Sequence, residues 1–262
     1  MAFVDIADAS LIYGEDGESG TLAVKDTTLG IERGEFVAVV GPSGCGKSSL
    51  LKLVSGLNLA TAGRVAVGGE AVVRPLKIVG MAFQNPTLLP WRRVIDNVLL
   101  PMEVADGLRS QYRRDPAPFV AKARDILATV GLKGFEDKHP WQLSGGMQQR
   151  ASLCRALIHN PALLLLDEPF AALDAFTREE LWGVMQTLWL KERFTVILVT
   201  HDLREATFLA DTVYVMSNRP GRVIYTRKID LKRPRTLEGC FEPAFVDHVH
   251  ALRDHISIAR SS

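Results

Sequence analysis

Cysteine is scarce in this chain: three residues, Cys45, Cys154 and Cys240, among 262. They show no CxxC spacing, so neither a disulfide framework nor a thiolate zinc site is indicated. Excess charge is missing too. Lys and Arg number 31 against 30 Asp and Glu, a net of +1, which leaves no field to point toward nucleic acid or an anionic membrane surface. Hydrophobic residues reach 47%, yet they come in short runs such as 162–166 and 196–199, far below the ~18 needed to span a bilayer. The N-terminal MAFVDIADAS has neither the basic nor the apolar region of a signal peptide. There is no internal repeat and no low-complexity segment. A chain of this length can bury one substantial core with a smaller subdomain attached. The expectation is a cytoplasmic protein that reaches any membrane only through a partner.

What is there begins with pattern. Residues 2–13 and about 22–31 alternate apolar and polar side chains, as half-buried antiparallel strands do, around the turn-rich GEDGESG at 14–20. Residues 36–40 form a short apolar strand that runs into GPSGCGKS (41–48), and a helix is expected from 47 to 56. Further strands are expected over about 63–83. From 85 to 160 the apolar spacing turns helical, as in PFVAKARDILATVGL (118–132), where Phe119, Ala123, Ile126, Leu127 and Val130 share a face and Gly131 stops the helix. Strand and helix then alternate through 162–166, 178–190, 195–200, 203–210 and 212–216, which implies a mainly parallel sheet covered by helices. The tail reads as a β-ribbon at 222–229 and an amphipathic helix near 244–258.

Four motifs carry chemistry. GPSGCGKS fits G-x-x-x-x-G-K-[ST] without exception. Gly41, Gly44 and Gly46 let the backbone turn its N–H groups toward phosphate oxygens, Lys47 adds a mobile cation, and Ser48 can coordinate Mg²⁺. Pro42, Ser43 and Cys45 complete the loop, and Ser49 caps or lines the same helix start. The alternative is a glycine-rich turn with a surface lysine. LLLLDEP (163–169) is apolar on both faces, as a central parallel strand should be, and delivers Asp167 at its C-terminal edge. A Glu-Pro turn with a solvated Glu168 is the plain alternative. LVTHD (198–202) places His201 after another buried strand, where a purely structural histidine is the plainer reading. LSGGMQQR (143–150) opens a helix with Leu143, Ser144, Gly145, Gly146 and Met147, presenting free N–H groups and a partial positive charge.

These motifs in this order resemble the nucleotide-binding subunit of ATP-binding cassette (ABC) transporters over nearly the whole chain. The resemblance implies an α/β P-loop NTPase (RecA-like) fold: a mainly parallel sheet core, an N-terminal antiparallel β subdomain and an inserted α-helical subdomain. The whole of 1–262 would then be a single ATP-binding domain, with 1–84 and 161–262 as nucleotide-binding core and 85–160 as the helical signature subdomain. ATP and Mg²⁺ are the implied ligands, the metal held by Ser48, Gln84 and, through water, Asp167. Glu168 would be the general base, His201 would contact the γ-phosphate, and Gln84 would complete the metal and water shell. Tyr13 falls where the family stacks an aromatic on adenine, a core or turn tyrosine being the alternative. The family meets signature with phosphate loop across a head-to-tail pair, here a homodimer, with Asp174 of the D-loop communicating across it. Met147 departs from the family's commoner glutamine.

NPTLLPWRRVIDNV (85–98) and MSNRPGRV (216–223) resemble the importer ATPases that serve nitrate, sulfonates and taurine. That branch implies integral-membrane permease subunits as partners, a solute-binding protein indirectly, no nucleic acid, and a peripheral place on the cytoplasmic face of the inner membrane. An exporter or lipid-transport ATPase shares the chemistry. A soluble ABC ATPase of DNA repair or translation would usually carry a coiled-coil insertion or two cassettes, which are not found here. Two further expectations concern single features. Cys45, among phosphate-facing amides and beside Lys47, should have a lowered pKa and react readily. Leu88, Leu89, Pro90 and Trp91 should form an exposed apolar loop that receives a permease helix, the alternative being that Trp91 packs inward.

Overall fold

The computed structural model describes residues 2–14 and 20–261. The expected turn GEDGESG lies, at positions 15–19, outside the described residues. The chain forms two compact units: residues up to Leu76 together with those from Trp189 onward, and Lys77–Leu188.

The first unit opens with β1 (Val4–Tyr13) and β2 (Thr21–Ile31), paired antiparallel with Val4 opposite Ile31. With β4 (Ala62–Val67) and the short β5 (Glu70–Ala71) they make an antiparallel sheet in the order β2-β1-β4-β5. Its alternating side chains bury one face, as the period-2 pattern of the sequence requires. Strand β3 (Phe36–Val40) is different: every residue of FVAVV is buried. It lies between two parallel neighbours, β8 (Thr195–Val199) and β9 (Thr212–Met216), with Val37 opposite Ile197 on one side and Thr212 on the other. Strands covered on both faces read as unbroken apolar runs, which is why TVILV and TVYVM look alike. Strand β10 (Val223–Lys228) closes this group antiparallel to β9.

Helix α1 (Lys47–Ser55) follows β3 and stops at Gly56, which takes the left-handed conformation at φ 78°. Helix α7 (Leu203–Leu209) lies against β3, and α8 (Pro243–Ser261) lies against α7 and β9. The segment before α8 is tied down by Arg235, which is 7% exposed. Its guanidinium donates to the carbonyls of Thr207, Phe208 and Ala210, the orphan acceptors at the end of α7. Burial, reinforced by neighbouring Arg233, pulls its pKa down to about 9.

In the second unit, β6 (Val79–Ala82) pairs parallel with β7 (Leu163–Asp167), Gly80 opposite Leu164. Helices α2 (Val94–Val104), α3 (Leu108–Arg114), α4 (Ala117–Thr129) and α5 (Gly145–Leu157) complete it, and α6 (Ala175–Glu192) carries the chain out. Helix α5 packs on α2, α4 and β6. It lies so close to β6 that a Cβ on Gly80 would stand 2.1 Å from the Ala156 carbonyl oxygen. This contact, and the pairing of β6 with β7, explain why the unit runs from 77 to 188. The helical stretch 85–160 read from the sequence lies wholly inside it.

Candidate functional site

The loop 41–46 joins β3 to α1. Gly44 and Gly46 both sit at positive φ, 73° and 107°, a region closed to most side chains. Gly46 is doubly constrained, because a Cβ there would meet the Ala23 carbonyl oxygen at 2.5 Å. Lys47 is 6% exposed, and its Nζ donates to the carbonyls of Gly41 at 3.0 Å and Pro42 at 2.8 Å. The cation thus lies folded under the loop whose amides it would reinforce. Ser43 and Ser48 are exposed beside it. Tyr13, half-buried at the end of β1, donates its hydroxyl to Ser49 Oγ at 3.2 Å, which brings the antiparallel sheet against the start of α1.

Cys45 corrects the expectation drawn from its position. The thiol is 1% exposed, and burial raises its pKa more than the nearby Lys47 charge lowers it. Its Sγ also lies 3.1 Å from where a Gly41 Cβ would be, so Cys45 fills the inside of the turn. It is a packing residue.

His201 is exposed just beyond β8, in a turn fixed by its neighbours. Asp202 caps α7, its carboxylate accepting the N–H groups of Arg204 at 2.9 Å and Glu205 at 3.2 Å, while its own N–H donates to Thr200 Oγ1.

In the second unit, β7 ends in the expected carboxylates. Glu168 takes φ 47°, rare for a residue with a Cβ, and such outliers are worth about 1–3 kcal/mol where the surroundings enforce them. Gln84 comes to it: its Nε2 donates to Glu168 Oε2 at 3.4 Å. Residues 84 apart in sequence therefore meet at one spot.

Helix α5 carries the signature at its N-terminus. Ser144 is the N-cap, its hydroxyl accepting the Met147 N–H at 3.3 Å, and Leu143 is buried beneath. Gln148 holds the approach, donating to the Pro140 and Leu143 carbonyls. A cleft of about 590 Å³ opens here, with Ser144, Gly145, Gly146, Met147, Leu173 and Asp174 among its walls. Asp174 accepts the Thr177 N–H at 3.0 Å, and hydrogen bonds from Thr177 hold its carboxyl below the usual range. The two glycines differ. A Cβ on Gly146 would sit 2.7 Å from Leu173, whereas one on Gly145 would meet nothing within 4 Å.

The same helix reaches the LLPW segment. Gln149, buried, donates to the Phe83 carbonyl just before Gln84, and Arg155 donates to the carbonyls of Pro86 and Thr87. From α2, the fully buried Asn97 accepts the Leu89 N–H and donates to the carbonyls of Leu89 and Arg93. Held this way, Leu88 and Leu89 are half-buried and Trp91 is 71% exposed, so the inward packing of Trp91 does not occur. Gln149, Asn97 and Arg155 were not singled out in the sequence. An amide amid the apolar VIDNVLL is the one trace that could have flagged Asn97.

The glycine loop of the first unit is of the kind found in nucleotide-binding α/β proteins, and the second unit carries the acidic strand end and the signature cleft. The sequence profile of the family described as "ABC transporter" matches residues 24–171. An ABC transporter ATP-binding protein of Methanocaldococcus jannaschii is 45% identical over 81% of this chain and 77% of its own. The aliphatic sulfonates import ATP-binding protein of Bacillus thuringiensis is 40% identical over 88% of each chain. The taurine import ATP-binding protein of Escherichia coli is 42% identical, covering 86% of this chain and 84% of its own. Among solved structures, a dimeric ATP-binding cassette in a post-hydrolysis state with ADP and Pi superposes with a TM-score of 0.76 at 32% identity, covering 87% of this chain and all of that one. The chain belongs to the ABC transporter ATP-binding family, and it is an ATPase with the P-loop NTPase fold. Among the described residues no helix is long and apolar enough to cross a membrane.

Proposed function

We propose that this chain is the ATP-hydrolysing subunit of an ABC importer for a small anion such as a sulfonate, taurine or nitrate. The observation that carries the proposal is the loop 41–46, whose two left-handed glycines and buried Lys47 suit a polyphosphate between strand and helix. Residues 41–49 bind the phosphates, and Tyr13 stacks on the base. Ser48, Asp167 and Gln84 offer hard oxygen donors of the kind Mg²⁺ prefers, and the bound metal would neutralise developing phosphate charge. Glu168 orients and deprotonates the attacking water, with Gln84 beside it. His201 holds that water against the γ-phosphate.

Leu143–Met147 and Asp174 act on the ATP of a second copy in a head-to-tail homodimer. The open space at Gly145 supports this, since among the described residues nothing lies within 4 Å of where its Cβ would be. Stretch 85–160 serves as the helical signature subdomain. The relatives named for sulfonate and taurine import support an import direction and a cargo that carries a sulfonate or similar anionic group. The complex then holds two permease subunits, with a solute-binding protein outside and this chain on the cytoplasmic face of the inner membrane. Uptake of labelled taurine, an alkanesulfonate and nitrate by cells with and without the gene tests the assignment. Loss of uptake of one of these anions is expected; unchanged uptake of all three contradicts the cargo class.

A further inference from the structure

The segment Arg219-Pro220-Gly221-Arg222, noticed in the sequence only as a branch marker, packs directly behind the phosphate loop. Three contacts show it. Arg219 donates from Nε at 3.2 Å and from an Nη at 3.1 Å to the carbonyl oxygen of Gly44. Gly221 lies against the next residue, so that a Cβ there would stand 2.1 Å from the Cys45 carbonyl oxygen. At the other end of the connection, Met216 O is 2.9 Å from where a Gly41 Cβ would be. The segment is itself anchored on β2: Gly221 N–H donates to Ala23 O at 3.0 Å, and its carbonyl accepts Lys25 N–H at 3.0 Å. Ala23 O is the atom that leaves no room for a side chain on Gly46. Carbonyls of consecutive loop residues are thus held from behind, by a forked cation at Gly44 and by close backbone contact at Cys45.

A peptide unit has its carbonyl and the next N–H on opposite sides. Fixing the Gly44 carbonyl toward Arg219 therefore fixes the Cys45 N–H on the loop's inner side, where it makes a long 3.4 Å hydrogen bond to the Pro42 carbonyl that leaves it able to turn to a phosphate oxygen. Gly44, at φ 73° with no side chain, adds no steric restraint of its own, so the long Cys45–Pro42 hydrogen bond would otherwise be the main hold on this peptide. We propose that Arg219 is a positioning residue for nucleotide: its guanidinium locks the Gly44–Cys45 peptide in the phosphate-binding orientation, with Gly221 as the fixed point of the lock. Arg219 touches no nucleotide in this scheme; it pre-organises the loop that does. Pre-organisation of this kind acts equally on ground and transition states, so it lowers KM and leaves kcat nearly alone. The proposal rests on the nucleotide reading of 41–48.

The test uses the full chain and its Arg219→Ala, Arg219→Lys, Arg222→Ala and Lys47→Ala variants. Fluorescent ATP binding, steady-state KM and kcat, and melting temperature are read for each. Arg219 is exposed and Arg222 sits in the same segment, so Arg222→Ala controls for charge alone. Loss of a forked, partly solvated hydrogen bond predicts that Arg219→Ala raises KM and the dissociation constant about fivefold, with kcat and melting temperature little changed. Arg219→Lys should recover part of the loss, and Arg222→Ala should match the wild type. An unchanged KM in Arg219→Ala, or an equal rise in Arg222→Ala, overturns the lock. Lys47→Ala separates the two readings: if it still binds nucleotide normally, the assignment of 41–48 fails, whereas lost binding there with a normal Arg219→Ala overturns the lock alone.

Discussion

Cys45 shows how a motif position and its environment can disagree. Its place in the loop, beside Lys47, argues for an acidic thiol, but the side chain points inward and desolvation wins. Maleimide should therefore label Cys45 in the folded protein slower than in urea, by on the order of a hundredfold or more, because labelling waits for local opening. MgATP should change little. Fast labelling that nucleotide prevents, mapped by mass spectrometry, would contradict this. The same shift has a pH consequence. A thiol whose folded pKa is raised adds stability that is fully present below the unfolded value of ~8.5 and lost as pH rises through the folded one. Between pH 8 and pH 10 the melting temperature of the wild type should fall more than that of Cys45→Ala.

At the scale of elements, the two signature glycines separate packing from chemistry. Gly146→Ala drives a methyl into Leu173 and should destabilise by about 1–3 kcal/mol. Gly145→Ala meets nothing within 4 Å and should leave thermal stability intact or slightly raised, while in the proposed dimer hydrolysis should drop because the methyl would face the second copy's nucleotide. Equal melting losses in both variants would contradict the distinction. The elements themselves were legible wherever burial is two-sided or periodic: β3, β7 and β8 announce themselves as apolar runs, and α4 by its spaced face. What was not legible is polar satisfaction at long range. Asn97, Gln149 and Arg155 serve the carbonyls and amides of an irregular loop, and nothing local in sequence says which carbonyl a side chain will reach. The left-handed backbone of Glu168 was equally hidden, since the strain resides in its surroundings and not in the residue type.

For the whole molecule, the proposed assembly makes two demands. The first falls on Trp91, 71% exposed on a loop held by Asn97 and Arg155. An exposed tryptophan with half-buried leucines behind it is the composition of a binding hot spot. Trp91→Ala should leave the isolated subunit's melting temperature and ATP affinity unchanged, while co-purification with the permease and uptake fail. A melting loss of several degrees would make Trp91 a structural residue after all. The second demand is that ATP itself joins two copies, each signature closing the other's phosphate loop. Glu168→Gln keeps the shape of the site but cannot accept a proton, so bound ATP should persist and hold the pair together. Size-exclusion chromatography of Glu168→Gln with MgATP is the most direct test: the account predicts a dimer that reverts to monomer when nucleotide is removed, and a variant that stays monomeric while turning over ATP at the wild-type rate would contradict it.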